Sequence, residues 1–335
     1  MRSPKKQAGI ALITVLMILA IMVTIAATMT GRMTASLLRT EGINYSEKIY
    51  WYGQATIELT RMILESDFDD SEVISLDQTW ATPDLVFPVD EGTITGNIVD
   101  YRSCFNINAL FIEEDEENTE LLALSQFKLL LSALEVEDDS LDIIAESARD
   151  WIDSNDTVDE SEGAEDRYYE AQNVPHLTAN NLMVDISELR SVQGVSRDIY
   201  EKIKPYLCAL PTSEQLINVN TVKQDKAEVL YALFPEELDL SIEEFEDLLD
   251  DRPTSGWSSV EAFLASDLLI NKIIPEEVQS QLSVTSDYFE LYGSAAFDDR
   301  TIALKSLFKV EDKEATTVRF QFAGIEDMVV NGEAQ

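Results

Sequence analysis

Met1-Arg2-Ser3-Pro4-Lys5-Lys6-Gln7-Ala8-Gly9 runs straight into Ile10-Ala11-Leu12-Ile13-Thr14-Val15-Leu16-Met17-Ile18, and the apolar stretch lasts to Ala27. The opening segment has Arg2, Lys5 and Lys6 and no acid; between Ile10 and Ala27 nothing is charged, and only Thr14 and Thr24 are polar. About 20 helical residues cross about 30 Å of hydrocarbon. The stretch is therefore long enough to span a bilayer, with its basic flank on the cytoplasmic side. A cleaved secretory signal is the simplest alternative. The apolar run is longer than an ordinary signal core, however, and Ala26-Ala27-Thr28-Met29 is a poor small-residue cleavage site. A plain anchor helix gives no reason for Gly9 at the polar/apolar junction.

Outward from this stretch the helical pattern continues. Leu37, Leu38, Tyr45, Ile49, Tyr52, Ile57, Leu59, Met62 and Ile63 keep helical spacing, and no proline occurs between Pro4 and Pro83. One helix of about 50 residues, its first half in lipid, follows from that periodicity. Pro83, Pro88 and Gly92 then break the chain, and β-branched residues dominate from Thr93 to Tyr101, which predicts a strand. Glu113-Glu114-Asp115-Glu116-Glu117 reads as an exposed loop. From Glu120 to about Ile274 the spacing is helical, and strands return at Thr285–Tyr292, Thr301–Lys309 and Thr317–Phe322. The expected fold is α+β: a long N-terminal helix and a small antiparallel sheet, interrupted by a large all-α insertion. The expected segments are a leader (1–9), a transmembrane helix (10–30), a helix and first strand (31–110), the insertion (111–281) and the closing strands (282–335).

The chain of 335 residues carries 64 acidic and 24 basic side chains, a net charge of −40. Such a surface repels phosphate backbones and anionic lipid and attracts multivalent cations. Cys104 and Cys208 are the two cysteines. In an oxidising compartment the pair can close a disulfide; in a reducing one they are two buried thiols. No Cys/His cluster surrounds the solitary His176, so a zinc site is not expected. Asp153, Asn155, Asp156, Asp159, Glu160, Glu162, Glu165 and Asp166 crowd one segment between two Trp/Tyr clusters. Calcium takes 6–8 oxygen ligands, which such a loop supplies; the plain alternative is a solvated acidic turn. Counted from Asp153 as an EF-hand, the sixth position would be Val158 and the twelfth Ala164, so the loop is not an EF-hand.

Two motifs point elsewhere. Ile217-Asn218-Val219-Asn220-Thr221 followed by Gly256-Trp257, and Val192-Gln193-Gly194-Val195, resemble helix-hairpin-helix elements, which offer backbone amides to phosphate. Glu236, Glu237, Asp239, Glu243, Glu244, Glu246, Asp247, Asp250 and Asp251 surround the first of them, so nucleic acid is not an expected partner. No nucleophile elbow, phosphate loop or paired-His metal motif is present in the sequence, and catalysis is not expected.

The leader resembles that of type IV prepilins, which is basic, ends in Gly and is removed by a dedicated membrane peptidase. The resemblance implies cleavage between Gly9 and Ile10. It departs at the fifth mature position, Thr14, where that pattern has Glu. Further segments are similar to the minor pseudopilin K family of type II secretion systems: Phe105-Asn106-Ile107-Asn108, Arg149-Asp150-Trp151-Ile152-Asp153, Gly163-Ala164-Glu165-Asp166, Ser187-Glu188-Leu189-Arg190, Pro205-Tyr206-Leu207 and Ile217-Asn218-Val219-Asn220-Thr221. The resemblance implies a pilin-like body with a helical insertion, and a single-pass inner-membrane protein with its body in the periplasm. It implies a place at the pseudopilus tip with minor pseudopilins I and J, contacted through the helix from Thr34 to Leu64 and the sheet edge. Other implied partners are the prepilin peptidase and, further out, the secretin or secreted substrates. It also implies structural calcium, with Asp153, Asn155, Asp159, Glu165 and Asp166 as the expected ligands. A minor pilin of another type IV filament, for adhesion or DNA uptake, is the alternative.

Overall fold

The computed structural model describes residues 10–90, 92–111, 122–158, 161–297 and 300–323. Gly9, the acidic run 113–117 and Asp159 lie outside them. The chain divides into two compact units, one to Ala55 and one from Thr56. Helix α1 runs from Ile10 to Asp70. In its first unit the apolar side chains from Ile10 to Val23 are all exposed, as lipid-facing residues of a lone span would be. The hydroxyls of Thr14, Thr24 and Thr28 donate to the carbonyls of Ala11, Ile21 and Ile25. Each polar group in the apolar run is thereby satisfied inside the helix, as a bilayer requires.

The second unit begins with the last turns of α1. Strands β1 (Leu85–Val89) and β2 (Gly92–Asp100) follow. The insertion then contains β3 (Phe105–Asn106), α2 (Leu122–Ala133), α3 (Asp138–Ile152), α4 (Asp166–Glu170), α5 (Arg197–Ile203), β4 (Leu207–Cys208), β5 (Ile217–Asn218), α6 (Glu228–Tyr231), α7 (Ile242–Asp250), α8 (Val260–Leu264), α9 (Glu276–Ser280) and β6 (Leu282–Ser283). Strands β7 (Tyr288–Phe297), β8 (Arg300–Glu311) and β9 (Glu314–Ala323) close the chain. The main sheet is antiparallel, in the order β1-β2-β7-β8-β9.

Ile57 and Leu64 of α1 pack on Phe289, Leu291, Leu304 and Phe308 of that sheet. Burying each such side chain contributes about 1.5–3 kcal/mol. A Cβ added at Gly293 would meet Leu304 Cδ1 at 2.8 Å and Thr56 Cγ2 at 3.3 Å, so glycine lets helix and strand approach closely. Within the expected partner-facing stretch Thr34 to Leu64, Thr56, Ile57, Thr60 and Leu64 are buried in the chain's own core, while Glu58 and Met62 on the other face of the same turns are exposed.

The insertion leaves after Asp100 and returns before Tyr288, on neighbouring strands, where Asp100 faces Phe289. Its ends lie outside the expected 111–281 because the Asn-x-Asn turn after β2 already belongs to it. Its root is a charge network. Asp100 accepts from Thr221, Ser286 and the backbone N–H of Arg102. Burial pushes its carboxyl up to about 6, against those hydrogen bonds. The side chain of Arg102, 1% exposed, pairs with Asp287 at 2.6 Å and with Glu214.

The insertion has two lobes with separate cores. Phe105, Phe127, Leu130, Ile144, Leu189 and Ile203 centre the first; Ile217, Val229, Phe245, Phe263, Leu269 and Leu282 centre the second. Both use one frame. Each opens on an Asn-x-Asn strand that pairs in parallel with the lobe's closing strand, β3 with β4 and β5 with β6. In each the first Asn side chain accepts from the second Asn's N–H, at 3.2 Å for Asn106 and 3.0 Å for Asn218. In each the second Asn exchanges hydrogen bonds with a backbone farther on: Asn108 with Met183, Asn220 with Trp257. Two residues beyond those, Asp185 and Ser259 cap the next helical turn. Cys104 and Cys208 are joined at the root of the first lobe, with Cα atoms 5.8 Å apart. At the place of Cys208 the second lobe has Ser283.

Candidate metal centre

The acidic segment leaves the end of α3. Asp150 and Asp153 are three apart on a helix, so they share a face of its last turn. Asp153 forms the cap, where its N–H reaches Arg149 O, and its Oδ1 accepts from Asn155 N–H at 3.0 Å. Asn155 Oδ1 in turn accepts from Thr157 N–H at 2.7 Å. The chain comes back through Gly163, where an added Cβ would lie 2.1 Å from Asp150 Oδ2. Only a glycine lets the returning backbone pass that carboxylate.

Glu165 sits at the N-cap of α4 but its side chain makes no capping bond. It turns inward instead, and ligand oxygens of Asp150, Asp153 and Glu165 lie within 4.8 Å of one another. All three residues are buried, Glu165 to 3% exposure. Both Glu165 oxygens are buried without a hydrogen bond of ordinary geometry. Its carboxyl is pushed up to about 8, first by burial and then by Asp153, Asp150 and Asp156, with Thr178 acting weakly the other way. The C-terminal end of α3, where Asp150 and Asp153 lie, is also the negative end of its peptide dipoles, which adds to the pull of the three acids on a cation. Behind the acids Trp151 stacks edge-on with Tyr169 at 5.2 Å, and Tyr169 meets His176 at 5.1 Å. Tyr169 OH accepts from Gln193 N–H. His176 is thus part of a packed aromatic wall. An all-oxygen, buried, triply acidic set suits a hard divalent cation.

Of the residues expected from sequence, Asp153 and Glu165 come together here. Asn155 Oδ1 is taken by its own turn, and Asp166 Oδ1 accepts from Thr178 N–H and Oγ1 at 2.9 and 2.8 Å. Asp150 was not among the expected residues; its signal was the Asp-x-x-Asp spacing at a helix end. Ile10 is the first described helical residue. In the hairpin-like motif running from Ile217 to Trp257, a Cβ on Gly256 would meet Asn220 Cγ at 2.5 Å, and Trp257 N–H donates to Asn220 Oδ1 at 2.7 Å. An amide that such a motif would offer to phosphate is used internally.

Two profiles of the family described as type II secretion system (T2SS), protein K match residues 103–212 and 217–285, which are the two lobes. Among similar proteins is the type II secretion system protein K of Aeromonas hydrophila, 38% identical over 315 residues, 92% of this chain and 94% of that one. Another, from Pectobacterium carotovorum subsp. carotovorum, is 38% identical over 323 residues, 95% and 97% of the two chains. A chain in the crystal structure of the GspK–GspI–GspJ complex from the enterotoxigenic Escherichia coli Type 2 Secretion System matches at TM-score 0.77 and 31% identity. That match covers 85% of this chain and 99% of the other. This chain belongs to the type II secretion system protein K family.

Proposed function

We propose that the chain is a minor pseudopilin at the tip of a type II secretion pseudopilus, where it initiates or caps assembly with partners of the I and J types. The observation that carries this reading is the near-complete match to a chain of a ternary GspK–GspI–GspJ complex. Among the described residues one helix, near the N-terminus, is long and apolar enough to cross a membrane, which supports a one-pass anchor, placed on this reading in the inner membrane with the body in the periplasm. A prepilin peptidase would cut between Gly9 and Ile10. Thr14 supports the tip position. Its hydroxyl is satisfied within its own helix, whereas a buried carboxylate there would need a neighbour's amine. The role is assembly rather than catalysis. Co-expression with the I and J subunits of the same system tests it: a stable ternary complex is expected, and deletion should abolish exoprotein secretion while sparing surface pili. Lost pili with intact secretion would favour the other filament. A mature chain beginning at methylated Ile10 is the expected mass-spectrometric result, and one beginning near Thr28 would defeat the prepilin route.

Calcium is the cation proposed for Asp150, Asp153 and Glu165. The fit rests on the oxygen-only donors and on the buried Glu165 carboxylate without a hydrogen bond. The ion would neutralise a loop that otherwise repels itself. Titration calorimetry on the full chain should show binding at or below millimolar calcium; no heat there would sink the assignment.

A further inference from the structure

A cavity of about 360 Å³ lies where the main sheet meets the two lobes. Its size is within the range of ligand pockets. Its sheet side is Val99, Tyr101, Tyr292, Lys305 and Gln321; the first lobe gives Ile186, Tyr200, Lys204, Pro205 and Leu207, and the second lobe gives Lys226. In a chain of net charge −40, a cleft with three ammonium groups is an exception. The acids facing it are Asp185 and Glu201.

The three cations are not equivalent. Lys305 is used by the protein: it pairs with Asp185 at 3.0 Å and Glu290 at 3.6 Å, beside Arg319. Lys204 and Lys226 form no ion pair among the described residues. Lys204 lies over the Tyr200 ring at 5.8 Å, and Lys226 donates to Pro205 O at 2.7 Å. A carbonyl is the only hydrogen-bond acceptor that Lys226 has among the described residues, and its proton affinity is lowered by burial and by Lys223, with Asp225 acting the other way. The Tyr101 and Tyr292 hydroxyls, bonded to each other at 2.9 Å, add polar groups to the same wall. Val99, Ile186, Pro205 and Leu207 give apolar surface between them.

We infer that this cleft binds a carboxylate carried on an apolar group, with Lys204 and Lys226 as the anion-holding residues. Charge complementarity selects the head and the aliphatic and aromatic walls select the body. A polypeptide offers that chemistry as an acidic side chain beside an apolar one.

The probe is 4-phenylbutyrate, titrated into the full chain in neutral detergent, with 4-phenylbutanol as its uncharged counterpart. Saturable binding of the acid is expected, at least tenfold tighter than the alcohol. Lys204→Gln with Lys226→Gln should weaken the acid at least tenfold and leave the alcohol unchanged. Since Lys226 also holds Pro205, Lys204→Gln alone is the second variant, expected to weaken the acid severalfold with unaltered thermal stability. Equal binding of acid and alcohol, indifference to both variants, or no saturation at about 10 mM, would overturn the inference. A chain ending at Ala323 separates sources. Unchanged affinity assigns the site to an outside carboxylate. Tighter binding also upholds the site and identifies residues 324–335, which include Glu326 and Asp327, as a competing carboxylate.

Discussion

In the first lobe the chain takes residues 153 to 182 to travel from the end of α3 to Met183; in the second it makes the same step, from α7 to Trp257, in residues 251 to 256. The frame on either side is shared: the Asn-x-Asn opening, the reciprocal bonds of the second Asn, the capped turn and the parallel closing strand. The second lobe shows that this frame closes with a short link and without a disulfide. The long acidic connection is an addition to a scaffold that stands without it. The cation proposed for it would accordingly act locally, and the two lobes can be separated by experiment.

The largest expected effect is that of the disulfide, which only the first lobe has. Cys104→Ser with Cys208→Ser releases a loop of sequence separation 104, costing about 4.7 kcal/mol in the chain-entropy model. Amide exchange should show the protection lost from the first lobe and retained around Val229 and Phe263. Next is Asn108→Leu. It removes bonds to Met183 N, Met183 O and Leu210 O, and about 1 kcal/mol for each stranded backbone group gives about 3 kcal/mol. Calcium comes third: at a hundredfold excess over its Kd it should add about 2.7 kcal/mol. Glu165→Gln should abolish that increment while raising the chelated protein's denaturation midpoint. Asn220→Leu, the counterpart of Asn108→Leu, strands only the two Trp257 groups and should cost about 2 kcal/mol. A cost in one lobe and none in the other would break the equivalence of the frames.

A further effect, which only the first lobe can show, is one of pH. Without a cation, folded Glu165 keeps its proton to about 8, against an ordinary value of 4.5. Between those values the folded state holds more protons than the unfolded one, so stability falls as pH rises. Urea midpoints of the chelated chain at pH 5 and pH 8 should show the drop, and Glu165→Gln should flatten it.

Long periodic elements were readable from sequence, and short ones were not. Helix α1 and strands β7 to β9 follow their apolar spacing. Strand β1 was hidden because Pro88 reads as a breaker, yet Pro88 pairs opposite Thr93 on an edge strand, where a missing N–H is tolerated. Two-residue strands have no period to detect, and neither do helices as short as α4 and α9. At the acidic site the composition indicated the segment. The ligand set was harder, because Asp150 is written inside a helical pattern, and because sequence does not reveal that Asn155 Oδ1 caps its own turn and Asp166 Oδ1 accepts from Thr178, twelve residues on. The fold alone decides which carboxylates converge.

The way the insertion joins the sheet has a consequence for engineering. Its two ends leave from paired residues on adjacent strands, about 5 Å apart, so the sheet experiences whatever lies between them as a hairpin. A short turn could replace both lobes, or a foreign domain with close termini could be installed, without changing strand order or the seat of α1. The port at Asp100 and Tyr288 makes the pilin-like body a carrier with exchangeable freight.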